Sequence, residues 1–357
     1  MTTTHINAAL FVASAVISAL VTRFAIAHAL RRDLLDHPNE RSSHTQPVPR
    51  VGGIGIALGL VVPFMMMARG AHWWTLAGAI AAMAGVGLLD DFRNLAASRK
   101  YMLQLTIVAL LMWSGMVAQQ FWAPVTGTVS LGWLAWPLTL VWLTGFPNFF
   151  NFIDGTNGMA GGSAVILGGF FAAYAVTEGR PDAAMMGLLM AGSALGFLFY
   201  NFPRAKTFMG DTGSLSLGLC AALLALSRHD PAGKHVTASL ILCSVIIYDC
   251  TTTIFKRLRR GENIFAAHRS HHYQRLARAG WGHTRVAWLY YGMHCTAGAL
   301  GFGYLLGERN VQIATLAADL AMLLGLSVLL RMAERPKALE SDAVEEAEEM
   351  AKAAVAE

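Results

Sequence analysis

Apolar runs close to twenty residues long recur along almost the whole chain, and this recurrence restricts the fold more than any other feature. A helix of about 20 residues crosses roughly 30 Å of hydrocarbon. Inside lipid a helix satisfies its own backbone hydrogen bonds. Eleven segments qualify, approximately Ala8–Leu30, Val51–Arg69, Trp73–Leu89, Tyr101–Phe121, Trp133–Phe150, Met159–Thr177, Ala183–Tyr200, Ser214–Ser227, Val236–Phe255, Val286–Leu306 and Val311–Leu330. The chain therefore reads as an all-α polytopic membrane protein of about 11 transmembrane helices. Its 14% of charged residues lies well below the roughly 25% of soluble domains. Cys220, Cys243, Cys250 and Cys295 all fall inside apolar segments and read as small core residues.

The charged residues that remain are not scattered. With a periplasmic N-terminus, 21 of the 27 lysines and arginines fall in segments on the cytoplasmic side, together with the C-terminus. That is the asymmetry expected of cytoplasmic loops. It also accounts for the net charge of +5 without a nucleic-acid partner. The first apolar run lacks a basic leader and is followed by Arg31 and Arg32, unlike a cleavable signal peptide. No internal repeat or long linker divides the chain. Residues from Glu340 to Glu357 are acidic and alanine-rich and read as a solvated tail.

Five polar clusters interrupt the apolar pattern. They are Asp36–Gly53, Asp90 with Asp91, NFFNFIDGTNG at Asn148–Gly158, FMGDTGS at Phe208–Ser214, and HRSHHYQRL at His268–Leu276. Each follows an odd-numbered span, so all five face the cytoplasm. Asp90, Asp91 and Asp211, with Asp154 and nearby amides, supply hard oxygens suited to magnesium, with manganese as the alternative. FMGDTGS opens a helix, with Thr212 or Ser214 as caps. Its backbone N–H groups would then face a diphosphate. Lys256, Arg257, Arg259, Arg260, His268, Arg269, His271, His272 and Arg275 offer donors to an anionic, polyhydroxyl ligand. Asp249 and Asp319 lie inside spans, where acids are usually functional, and they motivate a rival reading as an ion-coupled transporter.

At these clusters the sequence resembles the polyprenyl-phosphate N-acetylhexosamine-1-phosphate transferases, over about Asp36 to Arg285. The resemblance rests on Asp36, Pro38, Asn39, Arg41, His44, Pro47, Pro49, Arg50, Gly52 and Gly53, on Asn148, Asn151, Asp154 and Gly155, and on Phe208–Ser214. Asp249 and Arg257 match an Asp and an Arg leading into the family's His loop. HRSHHYQRL resembles the branch that starts O-antigen or capsule assembly. The chain departs from the family in having Asn94 where many members carry a third acid.

The resemblance implies a donor UDP-N-acetylhexosamine, an acceptor undecaprenyl phosphate in the surrounding membrane lipid, and release of UMP. The branch implies a 6-deoxy sugar such as N-acetylfucosamine or N-acetylquinovosamine, with a UDP-N-acetylglucosamine enzyme as the alternative. Asp90, Asp91 and Asp211 would be catalytic. Asp211, Asn151 and Asp91 would hold the metal. His44, Arg50, Asp154, Asn157, Phe208, His268, Arg269 and His271 would bind substrate, with Phe208 stacked on uracil. Residues 1–335 would form a single catalytic transmembrane domain in a bacterial inner membrane, followed by a tail at 336–357. A homodimer is the assembly envisaged.

Overall fold

A computed structural model describes residues 3–36, 46–226, 232–264, 266 and 268–356, with side chains described between 7 and 335. The chain is mostly helical. Helices occupy Thr3–Arg31 (α1), Gly52–Met67 (α2), Ala71–Arg93 (α3), Ala97–Trp113 (α4), Ala135–Phe152 (α5), Met159–Thr177 (α6) and Pro181–Asn201 (α7). They continue as Gly210–Ala225 (α8), Lys234–Leu242 (α9), Ser244–Arg259 (α10), His272–Arg278 (α11), His283–Leu306 (α12) and Arg309–Ala356 (α13). Among the described residues five helices are long and apolar enough to cross a membrane: α1, α3, α6, α7 and the first part of α13. A sixth span forms if α9 and α10 count as one, bent by 68° at Cys243. The protein is polytopic and membrane-embedded.

The structure corrects the all-α reading in one place. The fourth apolar run does not continue as helix to Phe121: α4 ends at Trp113, where Gly115 takes φ +94°. Glycine is the residue that enters this conformation without a Cβ penalty. The chain then forms a β-hairpin, β1 (Gln120–Ala123) paired antiparallel with β2 (Gly127–Ser130), in the register Trp122↔Thr128. Trp122 anchors it by donating its indole N–H to Gln312 (2.9 Å) and by accepting at its carbonyl from Thr237 (2.9 Å) and Tyr304 (2.7 Å).

The centre of the bundle is α8, whose every residue is buried. It packs against α2, α3 and α5. Close approach requires small residues, as usual between helices in lipid. A Cβ on Gly87 would collide with the Asp211 carbonyl, and one on Gly53 with Met209 and Gly213 backbone. These contacts bring the last turn of α3 and the first of α2 onto the first turn of α8. Ser14 on α1 adds a bond to the Gly59 carbonyl (2.8 Å), and Ser18 to that of Ser193 (2.6 Å). Three of the cysteines are buried as expected, while Cys295 on α12 is exposed.

Candidate active site

A helix leaves its first N–H groups without internal partners, and α8 has no capping side chain of its own. Asp91, from the last turn of α3, supplies the cap. One carboxylate oxygen accepts from the Asp211 N–H (2.8 Å), the other from the Thr212 N–H (2.9 Å) and hydroxyl (2.6 Å). Arg50 adds an ion pair at 3.3 Å. Two expectations change here. The N–H groups of Asp211 and Thr212 face a carboxylate of the protein rather than a diphosphate. Asp91, with four donors on its two oxygens, is engaged as a cap instead of standing open to a metal.

Gly210 makes that cap geometrically feasible. It sits at φ +66°, and a Cβ there would lie 2.6–2.8 Å from the Asp91 carboxylate. Left-handed backbone costs an L-residue roughly 1–2 kcal/mol, and losing the cap about 1 more. Gly210→Ala is therefore expected to destabilise the protein by ~2–3 kcal/mol. Gly78→Ala is the control, since no atom lies within 4 Å of its Cβ position. Thermal unfolding in detergent checks the pair; equal midpoints would refute the account.

Asp211 is buried at 3% exposure and gathers the charges. Its carboxylate accepts from Asn151 (2.9 Å) and Arg50 (3.2 Å) on one oxygen and from Lys100 (2.7 Å) on the other. Lys100 also reaches Asp90 at 3.1 Å, so one ammonium bridges two carboxylates. The other oxygen of Asp90 accepts from the Leu95 N–H (2.9 Å), closing the turn after α3. Asn94 holds the left-handed conformation in that turn at φ +48°. Asparagine tolerates it better than most residues, as aspartate does, so the conformation does not explain why an amide stands where many members carry an acid. Asn148 lies one layer back, donating to buried Gln104 (2.7 Å).

Lys100 belongs to none of the five polar clusters and is marked in the sequence only as one basic residue among 27. A signal existed: a cation in the first turn of a helix opposes the helix dipole, so it needs a partner elsewhere.

The arm from Gln46 to Val51 is zipped onto the loop before α8. The Phe208 N–H donates to the Pro49 carbonyl and the Gly52 N–H to that of Phe208, both at 2.9 Å. Phe208 is thus held half-buried beside Arg50 and the start of α8. His44 lies outside the described residues. Asn157 donates to the Pro203 carbonyl (3.2 Å), which fixes the 153–158 loop. Asp154 in that loop keeps some solvent contact, yet desolvation pushes its carboxyl up to about 8. Arg50 opposes the rise, and Asp211 and Asp91 reinforce it.

The His loop is organised by Asp249, fully buried on α10. It accepts from the His272 N–H (2.8 Å), the Tyr290 hydroxyl (2.6 Å) and the ring Nδ1 of His271 and of His272 (both 3.3 Å). It caps α11 from a distance, as Asp91 caps α8. His271 packs 5.7 Å from the ring of Phe152, the neighbour of Asn151, and 5.0 Å from His268. Tyr273 donates to the Phe152 carbonyl (2.8 Å) and ties the loop to α5. Desolvation lowers His268 to about 4, with His271 and Arg257 adding to it. His268 is therefore neutral at pH 7, hydrogen-bonded to Ser270 (2.9 Å), and a donor rather than a cation. Arg269 is half-buried in the same loop. Arg257 instead pairs with Glu262 (2.7 Å), away from the acid cluster.

The structure thus joins Arg50, Asp90, Asp91, Asn151 and Asp211 directly, and adds Lys100. It brings His271 alongside through Phe152. Among the described residues no group of three or more His, Cys, Asp or Glu side chains is arranged to hold a metal. Asp211, Asp90 and the amide oxygen of Asn151 nevertheless have the hard-oxygen chemistry that magnesium takes.

Paired acids and bases gathered at the start of a buried helix in an apolar, membrane-embedded bundle mark this cluster as the candidate site. The comparisons specify the family. The chain belongs to glycosyl transferase family 4, whose profile matches residues 73–229. It is 31% identical over 329 residues, 90% of this chain and 89% of the relative, to a probable undecaprenyl-phosphate N-acetylglucosaminyl 1-phosphate transferase of Bacillus subtilis. A decaprenyl-phosphate N-acetylglucosaminephosphotransferase of Mycobacterium leprae is 29% identical, over 77% of this chain and 78% of its own. A phospho-N-acetylmuramoyl-pentapeptide-transferase of Synechococcus is 31% identical, over 72% and 78%. None of these three names refers to O-antigen or capsule.

Proposed function

We propose that the protein transfers an N-acetylhexosamine-1-phosphate from a UDP-sugar to undecaprenyl phosphate. The observation that carries this reading is the Lys100 bridge between Asp90 and Asp211, with Arg50 beside it. It combines cations for phosphate groups with carboxylates for a metal. An acceptor oxygen attacks the β-phosphorus of the donor, and the bond from that phosphorus to the bridging oxygen breaks, releasing UMP. The acceptor monoester, with second pKa about 6, is mostly dianionic at neutral pH and needs little help losing a proton. Positioning and charge neutralisation are the main requirements.

In this reading Arg50 and Lys100 hold the phosphates, Asp90 orients the acceptor, and Asp91 keeps α8 in place. Asp211, Asn151 and Asp90 hold magnesium, which neutralises donor diphosphate charge when bound. Phe208 offers its ring to uracil, with Asn157 near the base. His268, Arg269 and His271 contact the diphosphate and sugar, as does His44, whose part rests on the sequence motif alone. The eleven-span topology, with N-terminus outside and the site on the cytoplasmic face of the inner membrane, belongs to this proposal, as does the division into a 1–335 domain and a 336–357 tail. The basic residues concentrated around the site support it.

Two readings of the sugar compete. HRSHHYQRL supports a 6-deoxy N-acetylhexosamine and an O-antigen or capsule product, whereas the names of the relatives favour N-acetylglucosamine. A site built to bond a hydroxyl strongly rejects its absence, while an apolar pocket only weakly rejects its presence. UMP release from equal concentrations of a 6-deoxy UDP-N-acetylhexosamine, UDP-N-acetylglucosamine and UDP-glucose, with one acceptor, tests the proposal. The 6-deoxy donor is expected to match or exceed UDP-N-acetylglucosamine, with UDP-glucose inactive. A hundredfold preference for UDP-N-acetylglucosamine would select the second reading, and no UMP from any donor would refute the reaction.

The transporter reading loses its motive. Asp249 is bonded throughout, and Asp319 accepts from Ser244 (2.9 Å) at the bend between α9 and α10. That interhelical bond is an ordinary role for a membrane acid.

The raised Asp154 carboxyl gives the reaction a pH signature. Below about 8 the group is neutral, and above it a negative charge appears beside Asp211 and Asp91. kcat/KM for the anionic donor is therefore expected to fall as pH rises through 8. Asp154→Asn should flatten that limb. A limb that persists in the variant would assign it elsewhere.

A further inference from the structure

From Tyr101 to Ile153 the chain contains no Asp, Glu, Lys, Arg or His, yet in the middle of that stretch it leaves the helices to form the hairpin of β1 and β2. Soluble domains carry about a quarter charged residues. At that rate the 21 residues from Ser114 to Leu134, between α4 and α5, would hold about five. They hold none, and apolar side chains stand exposed on them. Val125 (70%) lies at the tip of the hairpin, and Trp133 (78%) lies in the single 3-10 turn before α5.

Further exposed tryptophans gather at the same end of the bundle. Trp113 (89%) closes α4, and Trp74 and Trp136 lie in the first turns of α3 and α5. Their depth follows from the acid cluster, because Asp90, Lys100 and Asn151 come from these same three helices. Trp74 precedes Asp90 by 16 residues, Trp113 follows Lys100 by 13, and Trp136 precedes Asn151 by 15. At the helical rise these separations are about 20–24 Å. The tryptophans therefore share one level, at the end of the bundle away from the site. Roughly 30 Å of hydrocarbon measured from that level ends just beyond the acid cluster.

Tryptophan is enriched where a membrane meets water, its ring apolar and its N–H polar. The hydrocarbon itself does not suit the hairpin, since a two-stranded sheet has edges whose backbone groups need partners. The headgroup layer supplies them. The bundle fixes the hairpin at this depth through β1, where the Trp122 N–H donates to the Gly233 carbonyl (3.1 Å) and the Trp122 indole to Gln312. We propose that the hairpin and the exposed tryptophans around it form a lipid-docking surface lying in the phospholipid headgroup layer of the leaflet opposite the acid cluster. The contact is aromatic and apolar, so a neutral bilayer surface is a sufficient partner.

The test needs no substrate, so it stands whether or not the sugar-transfer reaction is found. In full-length protein the exposed Cys295 is replaced by serine, while the three buried cysteines are kept. Val125→Cys or Glu308→Cys then carries an NBD fluorophore. Glu308 is the reference for water, exposed in the turn between α12 and α13 and flanked by Tyr304 and Gln312, which both bond to Trp122. In dioleoylphosphatidylcholine nanodiscs the Val125→Cys probe is expected to be quenched by iodide about fivefold less than the Glu308→Cys probe, as interfacial burial requires. It should also be quenched by phosphatidylcholine spin-labelled on the headgroup. Ser130→Cys, exposed on β2, gives a second reading and should behave as Val125→Cys. Iodide quenching equal to that at Glu308→Cys would place the hairpin in water and overturn the proposal. Protection from iodide without quenching by any spin-labelled lipid would overturn it in favour of a covering protein, such as a second copy of this chain. Stronger quenching by a label near the acyl-chain end than by the headgroup label would overturn the assigned depth.

Discussion

Asp211→Asn is expected to lower UMP release at least a thousandfold while leaving a folded protein. The carboxylate receives Arg50, Lys100 and Asn151 within 3.2 Å. An amide keeps the volume but removes the charge that holds the cations, and in the proposed reaction it removes the metal's anionic ligand. Loss of electrostatic stabilisation of this kind costs ~3–4 kcal/mol in the barrier for one donor, and more where a metal is lost with it. Stability should fall less, because Arg50 retains Asp91 and Lys100 retains Asp90. A discontinuous UMP assay with thermal melting in detergent separates the two effects. Wild-type turnover in Asp211→Asn, or in excess EDTA, would refute the role.

Asp249→Ala should act in the opposite order, on structure first. The side chain is fully buried and accepts from two backbone N–H groups, Tyr290 and two imidazoles. Removing it strands those donors. Breaking a buried charged network by removing one partner typically costs ~3–5 kcal/mol. The effect should localise to the His loop. Expected results are a lower unfolding midpoint, faster proteolysis between Arg260 and His271, and turnover that falls because His271 loses its position. A variant with wild-type melting and loop protection would show that the network contributes little.

The sequence made the site more legible than its wiring. Hydropathy found the helical segments because twenty apolar residues have one good use in lipid. Polar interruptions marked Asp90, Asn151, Asp211 and His271 because charge at a membrane face needs a reason. Neither signal reports pairing at a distance. Asp91 looked like a metal ligand because sequence does not show that its partner is the first turn of α8, over a hundred residues away. Asp249 looked like a transport acid for the same reason, since its donors belong to α11 and α12. The hairpin at Gln120–Ser130 was hidden by aromatic residues that suit a strand and a membrane helix equally well. Lys100 was hidden in a count of basic residues, where the argument concerned sidedness and ignored position within a helix.

The two long-range caps make the site a product of completed assembly. A chain that has emerged only as far as Tyr101 carries Asp90, Asp91 and Lys100, but no helix for Asp91 to close and no Asp211 for Lys100 to join. Extension through α8 completes the acid cluster, but Asp249, His271 and the Tyr290 of α12 that secures Asp249 are all still to come. During insertion the growing chain therefore lacks a finished constellation until nearly all of it is in the bilayer. In the proposed reaction a partly inserted copy would be an inert passenger, unable to draw down the cell's activated sugar.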